Sequence, residues 1–159
     1  RSVRVAATRK TAPGLRYFDK KAVVTGGGYQ HRMRLDDMVL IKDNHLAVAG
    51  SARKAIHLAR KNVGKKVKIE CEARTPAEAI EAISAGADAV LLDNFTESQV
   101  METMREIKKR KIRKKAVIEV SGGINASNIA SYARAKPDMI SAGYITHSPK
   151  AIDFSLEIC

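Results

Sequence analysis

Cysteine is nearly absent from the 159 residues: the chain holds two, Cys71 and Cys159. They form no C-x-x-C pair and no metal-ligand spacing. That argues against a disulfide framework or a structural zinc site and makes a reducing cytoplasm the default setting. Aromatic residues are only 4% and tryptophan is missing, so a base-stacking platform for nucleic acid is poorly supplied. No apolar run approaches the roughly 18 residues of a membrane span. No leader with a basic start, an apolar middle and a small-residue cleavage site is visible. The length suits one domain with a sizeable core rather than two. Because the sequence opens on Arg1 instead of Met, it reads as a fragment or processed piece.

Acidic residues are outnumbered, 17 against 29 Lys and Arg, for a formal charge of +12. Such a balance favours anionic partners. Eight of those cations, however, lie in "REIKKRKIRKK" (105–115) with a single Glu. That run reads as a solvated helix end and loop, with nucleic-acid binding as the alternative.

What the chain does have is alternation. Six β-like runs, "VRVAA" (3–7), "MVLI" (38–41), "KVKIECE" (66–72), "AVLLD" (89–93), "AVIEVS" (116–121) and "MISAGYI" (139–145), are separated by segments of helical period. The helical segments are "SARKAIHLARKN", "TPAEAIEAISAG", "TESQVMETMREIKK" and "NASNIASYARA". Thr75-Pro76-Ala77-Glu78 and Thr96-Glu97-Ser98-Gln99 carry capping signals, and Gly86 suits the end of the helix that Thr75 opens. Strict β-α alternation implies a parallel sheet with right-handed crossovers, either a barrel or an open doubly wound sheet. The segment from Thr11 to Asp37, with Pro13-Gly14 and Gly26-Gly27-Gly28, breaks the rhythm and reads as a functional excursion around a short helix.

The polar residues sit where these runs stop. The first ends at Thr8-Arg9-Lys10, the second at Lys42, the third at Glu72, the fourth at Asp93, the fifth at Ser121-Gly122-Gly123 and the sixth at Gly143. Ligands of α/β folds bind beyond the carboxyl ends of the strands, so these positions are expected to share one rim. Glu70 and Glu72 share a strand face, as do Glu119 and Ser121. Carboxylates near a core need cations or a metal, and Arg9, Lys10, Arg32 and Lys42 are available. A structural ion-pair network inside a barrel mouth is the plainer account. Ser121-Gly122-Gly123 before a helix is either a simple turn or an anion cradle at a helix N-terminus. Ala142-Gly143, leading to Thr146-His147, is a second small-residue turn of that kind. His31, His45 and His147 match no zinc spacing, and His57 reads as surface.

Seven segments in this order, "TRKTAPGLR", "GGGYQHRMRLDD", "LIKDNHLA", "IECEA", "AVLLDNF", "EVSGGI" and "AGYITHS", resemble the quinolinate phosphoribosyltransferases, also called nicotinate-nucleotide pyrophosphorylases (carboxylating). The resemblance covers essentially the whole chain. It implies an incomplete α/β barrel of the type II phosphoribosyltransferases across 1–159, lacking the family's N-terminal sandwich domain and one further barrel strand. It further implies transfer of phosphoribose from phosphoribosyl pyrophosphate to quinolinate with decarboxylation, in NAD synthesis. Products would be nicotinate mononucleotide, pyrophosphate and carbon dioxide.

Carried over onto this chain, Thr8, Arg9, Lys10, His31 and Arg32 fall in the substrate-binding segments, with Arg9, Lys10, His31 and Arg32 as the cationic pocket for the acceptor's two carboxylates. Lys42 lies between acceptor and ribosyl donor. Glu72 and Asp93 hold the ribose hydroxyls and Mg2+. Ser121, Gly122 and Gly123 with Ala142, Gly143, Tyr144 and His147 form the phosphate loops. Lys42, Glu72 and Asp93 are the residues the resemblance makes catalytic. It also implies a homo-oligomer, dimer or hexamer, whose partner subunit covers the site and donates an arginine, so this piece alone is expected to be inactive. Arg34, where many members have glycine, is expected to add a cation near the pocket. Competing readings are a pyridine-acid phosphoribosyltransferase that does not decarboxylate, a molybdenum-locus relative, and a non-catalytic polyanion-binding module acting through 105–115.

Overall fold

Apolar runs too short for a helix and too long for a turn become strands, and the intervening helical periods become the crossovers that return the chain for the next one. The structure, a computed structural model, describes residues 2–158. The readings that fall on Arg1 and Cys159 lie outside the described residues. The elements are β1 (Arg4–Ala6), α1 (Arg16–Thr25), β2 (Val39–Ile41), α2 (Asp43–Ala49), α3 (Ala52–Val63), β3 (Ile69–Ala73), α4 (Pro76–Ser84), β4 (Ala89–Asp93), α5 (Glu97–Lys109), β5 (Val117–Ser121), α6 (Ile129–Arg134), β6 (Met139–Ser141) and α7 (Tyr144–His147).

The six strands form one parallel sheet in the order β1-β6-β5-β4-β3-β2. Because β1 lies beside β6 instead of β2, this is the strand order of a barrel left open at one seam. Tyr29 lies at that seam, bridging to Ala6 and exchanging hydrogen bonds with Val5 O and Ala7 N–H. Strand alternation then divides the two faces. Ile41, Ile69, Cys71, Val90, Leu92, Ile118, Val120 and Ile140 turn outward onto the helices, where they meet Ile56, Ile83, Val100, Met104 and Ile107. Burying each such side chain stabilises the fold by roughly 1.5–3 kcal/mol, which is what holds the crossovers on the sheet. The opposite face carries Glu70, Glu72, Glu119, Ser121 and Ser141.

The capping signals work as their chemistry requires. Thr75 accepts the Glu78 N–H and Thr96 that of Gln99, and Gly86 takes a left-handed φ of 91° just past α4. The Glu78 carboxylate reaches back one residue further than a regular capping box, to the Arg74 N–H. Two helices are not legible in the sequence. The seven residues of α2 are too few to display a period; the helix starts because the His45 ring accepts the Lys42 N–H at 2.9 Å. The sixth apolar run extends to Ile145, but β6 stops at Ser141 and α7 follows Gly143. Beyond it, residues 148–158 have no regular structure, and Ile152, Phe154, Leu156 and Ile158 are exposed. Among the described residues no helix is long and apolar enough to cross a membrane.

A repeated device closes the sheet at the strand starts. Asp88, one residue before β4, donates its N–H to Ile69 O and accepts the Ile69 N–H on its side chain. Asp138, one residue before β6, does the same with Ile118. Each carboxylate is held by arginine: Arg60 at 2.5 Å for Asp88 and Arg113 at 2.8 and 2.9 Å for Asp138. Arg113 belongs to the basic run, so part of that run is structural. At Asp88 partial burial pushes the carboxyl pKa up, but the Ile69 N–H and the Lys68 and Arg60 hydrogen bonds outweigh it and leave the group below the ordinary aspartate range.

A carboxylate depressed in the folded state contributes stability above its unfolded pKa and loses that contribution as pH falls through its folded value. Asp88→Asn should therefore cost roughly 1–3 kcal/mol at neutral pH, read by denaturant unfolding. The gap to wild type should narrow below about pH 4; an unchanged gap down to about pH 2 would refute this account.

Candidate active site

All six strands run the same way, so their carboxyl ends open on one rim. Register fixes the neighbours there: Asp93 stands beside Ser121 and Ser121 beside Ser141. Lys42, at the start of α2, lies 3.5 Å from the Glu72 carboxylate. Burial raises the Glu72 pKa, the Lys42 ammonium opposes this and the Asp93 charge adds to it. Asp93 itself accepts a hydrogen bond from the Asn94 side chain at 2.7 Å. On the other side of the rim, Thr146 donates to Lys10 O at 2.7 Å and ties α7 to the loop after β1.

Two glycines are required here by close approach. A Cβ at Gly143 would lie 2.9 Å from the His147 ring, with Lys10 Cδ next to it. At Gly122, where φ is 99°, it would overlap the Asn94 side chain. Both loops thus bring backbone close to the side chains at the rim. Of the two readings of Ser121-Gly122-Gly123, a simple turn or a cradle at a helix N-terminus, the first describes the backbone, since no helix follows the glycines directly. α6 starts only at Ile129, because Asn125 and Asn128 form a turn of their own through Asn125 N–H to Asn128 Oδ1 at 2.9 Å. Its dipole is therefore displaced from the glycines. Ala142, expected in a phosphate loop, turns its side chain into the outward core and donates its N–H to Ala6 O. Thr8 uses its hydroxyl within its own loop, accepting the Lys10 N–H.

Cations gather between the two sides of the rim. Arg9 and Arg32 act electrostatically on one another, and burial followed by the charge of Arg9 lowers the pKa of half-buried Arg32. The Arg9 Nε–H is buried and has no acceptor among the described residues. Arg32 shares a hollow of about 430 Å³ with Met38, Leu40, Lys42 and His45. It also lines one of about 420 Å³ that reaches Glu70 and His31 from the strand starts. Arg34 is turned away from this cluster, exposed and paired with Asp36 at 2.6 Å.

Below the rim lies a buried polar layer. Glu119 accepts from Ser141 Oγ at 2.5 Å and from His31 Nε2 at 3.0 Å. His31 Nδ1 accepts the Arg32 N–H at 2.8 Å, so the ring proton is on Nε2. Both ring nitrogens are thus committed inside the protein. Glu70 is driven up to about 9 by burial, by the Glu119 charge and by its hydrogen bond to Glu119, with Arg32 opposing. It is protonated at neutral pH. His31, Glu70 and Glu119 lie as close together as the ligands of a metal site would, but the Nδ1 lone pair is taken, Nε2 is protonated and Arg32 is adjacent. That donor set does not suit a cation.

Sequence reasoning misses Lys20. It lies on α1 at 1% exposure, while Tyr17 and Phe18 on the same helix are exposed. Its Nζ donates to Ala7 O at 3.1 Å and to Gln30 O. Nothing in "FDKKAV" separates it from the exposed Lys21.

Residues 1–157 match the family described as quinolinate phosphoribosyl transferase, C-terminal domain. A probable nicotinate-nucleotide pyrophosphorylase (carboxylating) of Methanothermobacter thermautotrophicus is 46% identical over 98% of this chain and 56% of its own length. The human nicotinate-nucleotide pyrophosphorylase (carboxylating) is 39% identical over 97% of this chain and 51% of its own. The crystal structure of NadC from Streptococcus pyogenes superposes with a TM-score of 0.89 at 40% identity, covering 98% of this chain and 53% of that one. The chain therefore spans about half the length of the relatives it matches. On sequence, strand order and superposition alike, it belongs to the quinolinate phosphoribosyltransferase family, as that family's C-terminal domain.

Proposed function

We propose that this domain carries the catalytic rim of an enzyme that transfers phosphoribose from phosphoribosyl pyrophosphate to quinolinate, releasing pyrophosphate and carbon dioxide and leaving nicotinate mononucleotide. The observation that carries the reading is the Arg9–Arg32 cation pair, with a buried Arg9 N–H that has no acceptor among the described residues, and with Arg32 sharing a hollow with the Lys42 that pairs with Glu72. A planar dicarboxylate supplies the missing acceptors, and arginine's fork matches carboxylate geometry. His31 supports this pocket from below, because its ring nitrogens are already used, and Lys10 and Lys42 flank it.

In this reading the pyridine nitrogen is held facing C1 of the ribose. As pyrophosphate departs, the sugar gains oxocarbenium character, and Glu72 and Asp93 stabilise that charge while accepting from the ribose hydroxyls. Lys42 screens the two carboxylates and orients Glu72. Lys10, His147, and the backbone of Ser121-Gly122-Gly123 and Gly143-Tyr144 are near the phosphates. The gain is positioning and electrostatics rather than covalent catalysis by the protein. After transfer the ring nitrogen is cationic, so the C2–carboxylate bond can break with loss of carbon dioxide, its electron pair staying on C2 in the ring plane, stabilised by the adjacent positive nitrogen until a proton adds to C2. The hard oxygens of Glu72 and Asp93 suit Mg2+, which commonly takes one or two carboxylates together with substrate phosphates. When bound it would neutralise pyrophosphate. A homo-oligomer, dimer or hexamer, and a cytoplasmic location complete the proposal; the buried free thiol of Cys71 suits a reducing compartment.

The test is an assay of the full-length protein with quinolinate and phosphoribosyl pyrophosphate. Nicotinate mononucleotide and one carbon dioxide per turnover are expected, while ribosylation without carbon dioxide would favour the non-decarboxylating reading. Glu72→Gln should lower kcat by about a hundredfold or more; a value within about threefold of wild type, under ~1 kcal/mol, would remove it from the chemistry. The run at 105–115 lies at the strand starts, opposite the rim. Changing Lys108, Lys109, Lys114 and Lys115 to Gln should leave turnover within about twofold, whereas a polyanion-binding module would lose its function.

A further inference from the structure

Lys20 is a buried cation with no carboxylate partner among the described residues. The groups that face it are Arg16 on its own helix, Arg9 after β1, Arg32 in the excursion and Glu119 on β5. Burial, then Arg16, Arg9 and Arg32, push its ammonium pKa down to about 8, with Glu119 alone opposing. Apolar packing does not explain a lysine in such a place; a leucine or methionine would fill the volume without the desolvation cost. Its hydrogen bonds do. Ala7 O and Gln30 O have no other donor among the described residues. Ala7 leads directly into Thr8-Arg9-Lys10, and Gln30 into His31-Arg32.

We infer that Lys20 is a positioning residue for the acceptor pocket: one ammonium clamps the end of β1 to the turn before His31, so it sets the separation of Arg9 and Arg32 and adds its charge beneath a bound dianion. The inference rests on the function proposed above for the identity of the dianion, and on geometry alone for the clamp. Two linked consequences follow. Without Lys20 both cationic arms lose the same anchor, and they loosen together. With a dianion bound, the ammonium is stabilised and its pKa rises. Binding then takes up a proton near and above pH 8, and affinity falls as pH rises through that range. Glu70, driven up to about 9 beside Arg32, titrates in the same range, so the share that belongs to Lys20 is the difference between wild type and a variant without the ammonium.

The experiment compares full-length wild type with Lys20→Met and with Lys20→Gln, which keeps a donor but no charge. Quinolinate is titrated calorimetrically from about pH 7 to about pH 9.5 in buffers of different ionisation enthalpy, and amide hydrogen exchange is followed without ligand. Wild type should lose about tenfold in affinity over that range with proton uptake. Lys20→Met should bind about tenfold more weakly at neutral pH, with a shallower pH dependence and less proton uptake than wild type near pH 8. Lys20→Gln should recover part of the affinity but keep the reduced uptake of Lys20→Met. Exchange in Lys20→Met should accelerate at both 8–10 and 31–32 while α3–α5 keep their protection.

Variants that bind within about twofold of wild type with the same pH profile would overturn the inference. If wild type binds no quinolinate, the proposed function fails, and the clamp is judged on exchange: acceleration in both arms sustains it, and acceleration in one arm or none refutes it. Should Lys20→Met fail to fold, Lys20→Gln decides both points.

Discussion

Three carboxylates lie side by side on the inner face of this sheet, and the rest of the site depends on how their charge is settled. Glu70, Glu72 and Glu119 are each under 10% exposed, where an unpaired ionised carboxylate costs several kcal/mol. Each meets the problem differently. Glu119 accepts from His31 and Ser141; Glu70, pushed up to about 9 by burial and by Glu119, keeps its proton; Glu72 faces Lys42. The protonated state of Glu70 has a consequence for Arg32. An ionised Glu70 would pair with that guanidinium and cancel its charge, but as a neutral acid it leaves Arg32 available to something entering from the rim. A positive pocket can therefore sit above acidic residues without being neutralised by them.

Most of the architecture is legible in the sequence because it is periodic. Helices opening at Thr75 and Thr96 announce themselves by side chains that must accept N–H groups in the first turn. The strands announce themselves by apolar runs bounded by polar residues. Parallel strands in turn force Lys42, Glu72, Asp93 and Ser121 to one rim, so their convergence needs no further information. The features that are not legible share a physical cause: they leave no period in the sequence. α2 and α7 are too short for periodicity and are set by caps and tethers, His45 to Lys42 N–H and Thr146 to Lys10 O. Lys20 reads as half of a surface pair until α1 docks it beneath two carbonyls. Ala142 joins the phosphate-loop reading by adjacency to Gly143, while strand alternation turns its side chain into the core on the opposite face. His31 groups with the cations because it precedes Arg32, and only the tertiary structure turns its ring inward to Glu119.

Stability and reactivity are assigned to opposite ends of the same strands. At the strand starts, Asp88 and Asp138 tie neighbouring strands together with side chain and backbone at once, each locked by an arginine. Those carboxylates are fully engaged. At the strand ends, Glu72, Asp93 and Arg9 retain unused hydrogen-bonding capacity. A ligand that engages it stabilises the folded state through mass action without rearranging the core.

The excursion from Thr11 to Asp37 differs from the β-α units in what holds it. α1 leaves Tyr17 and Phe18 exposed and is joined to its surroundings mainly by polar contacts: Asp19 accepts the Ala12 N–H at 3.0 Å, Arg16 donates to Thr11 at 3.3 Å, and Lys20 reaches the two carbonyls. Segments with little apolar burial lie at the low end of the local stability scale. The arm that carries His31 and Arg32 is therefore the part of the site whose geometry depends most on single hydrogen bonds. The arm that carries Glu72, Asp93 and Ser121 inherits its geometry from the sheet. A polar anchor under the excursion costs stability relative to an apolar one, but it specifies where the chain must stop, because an ammonium has to reach both oxygens at once while a leucine can pack in several ways. That difference in specification, rather than any gain in stability, accounts for a charged side chain at the most buried position of α1.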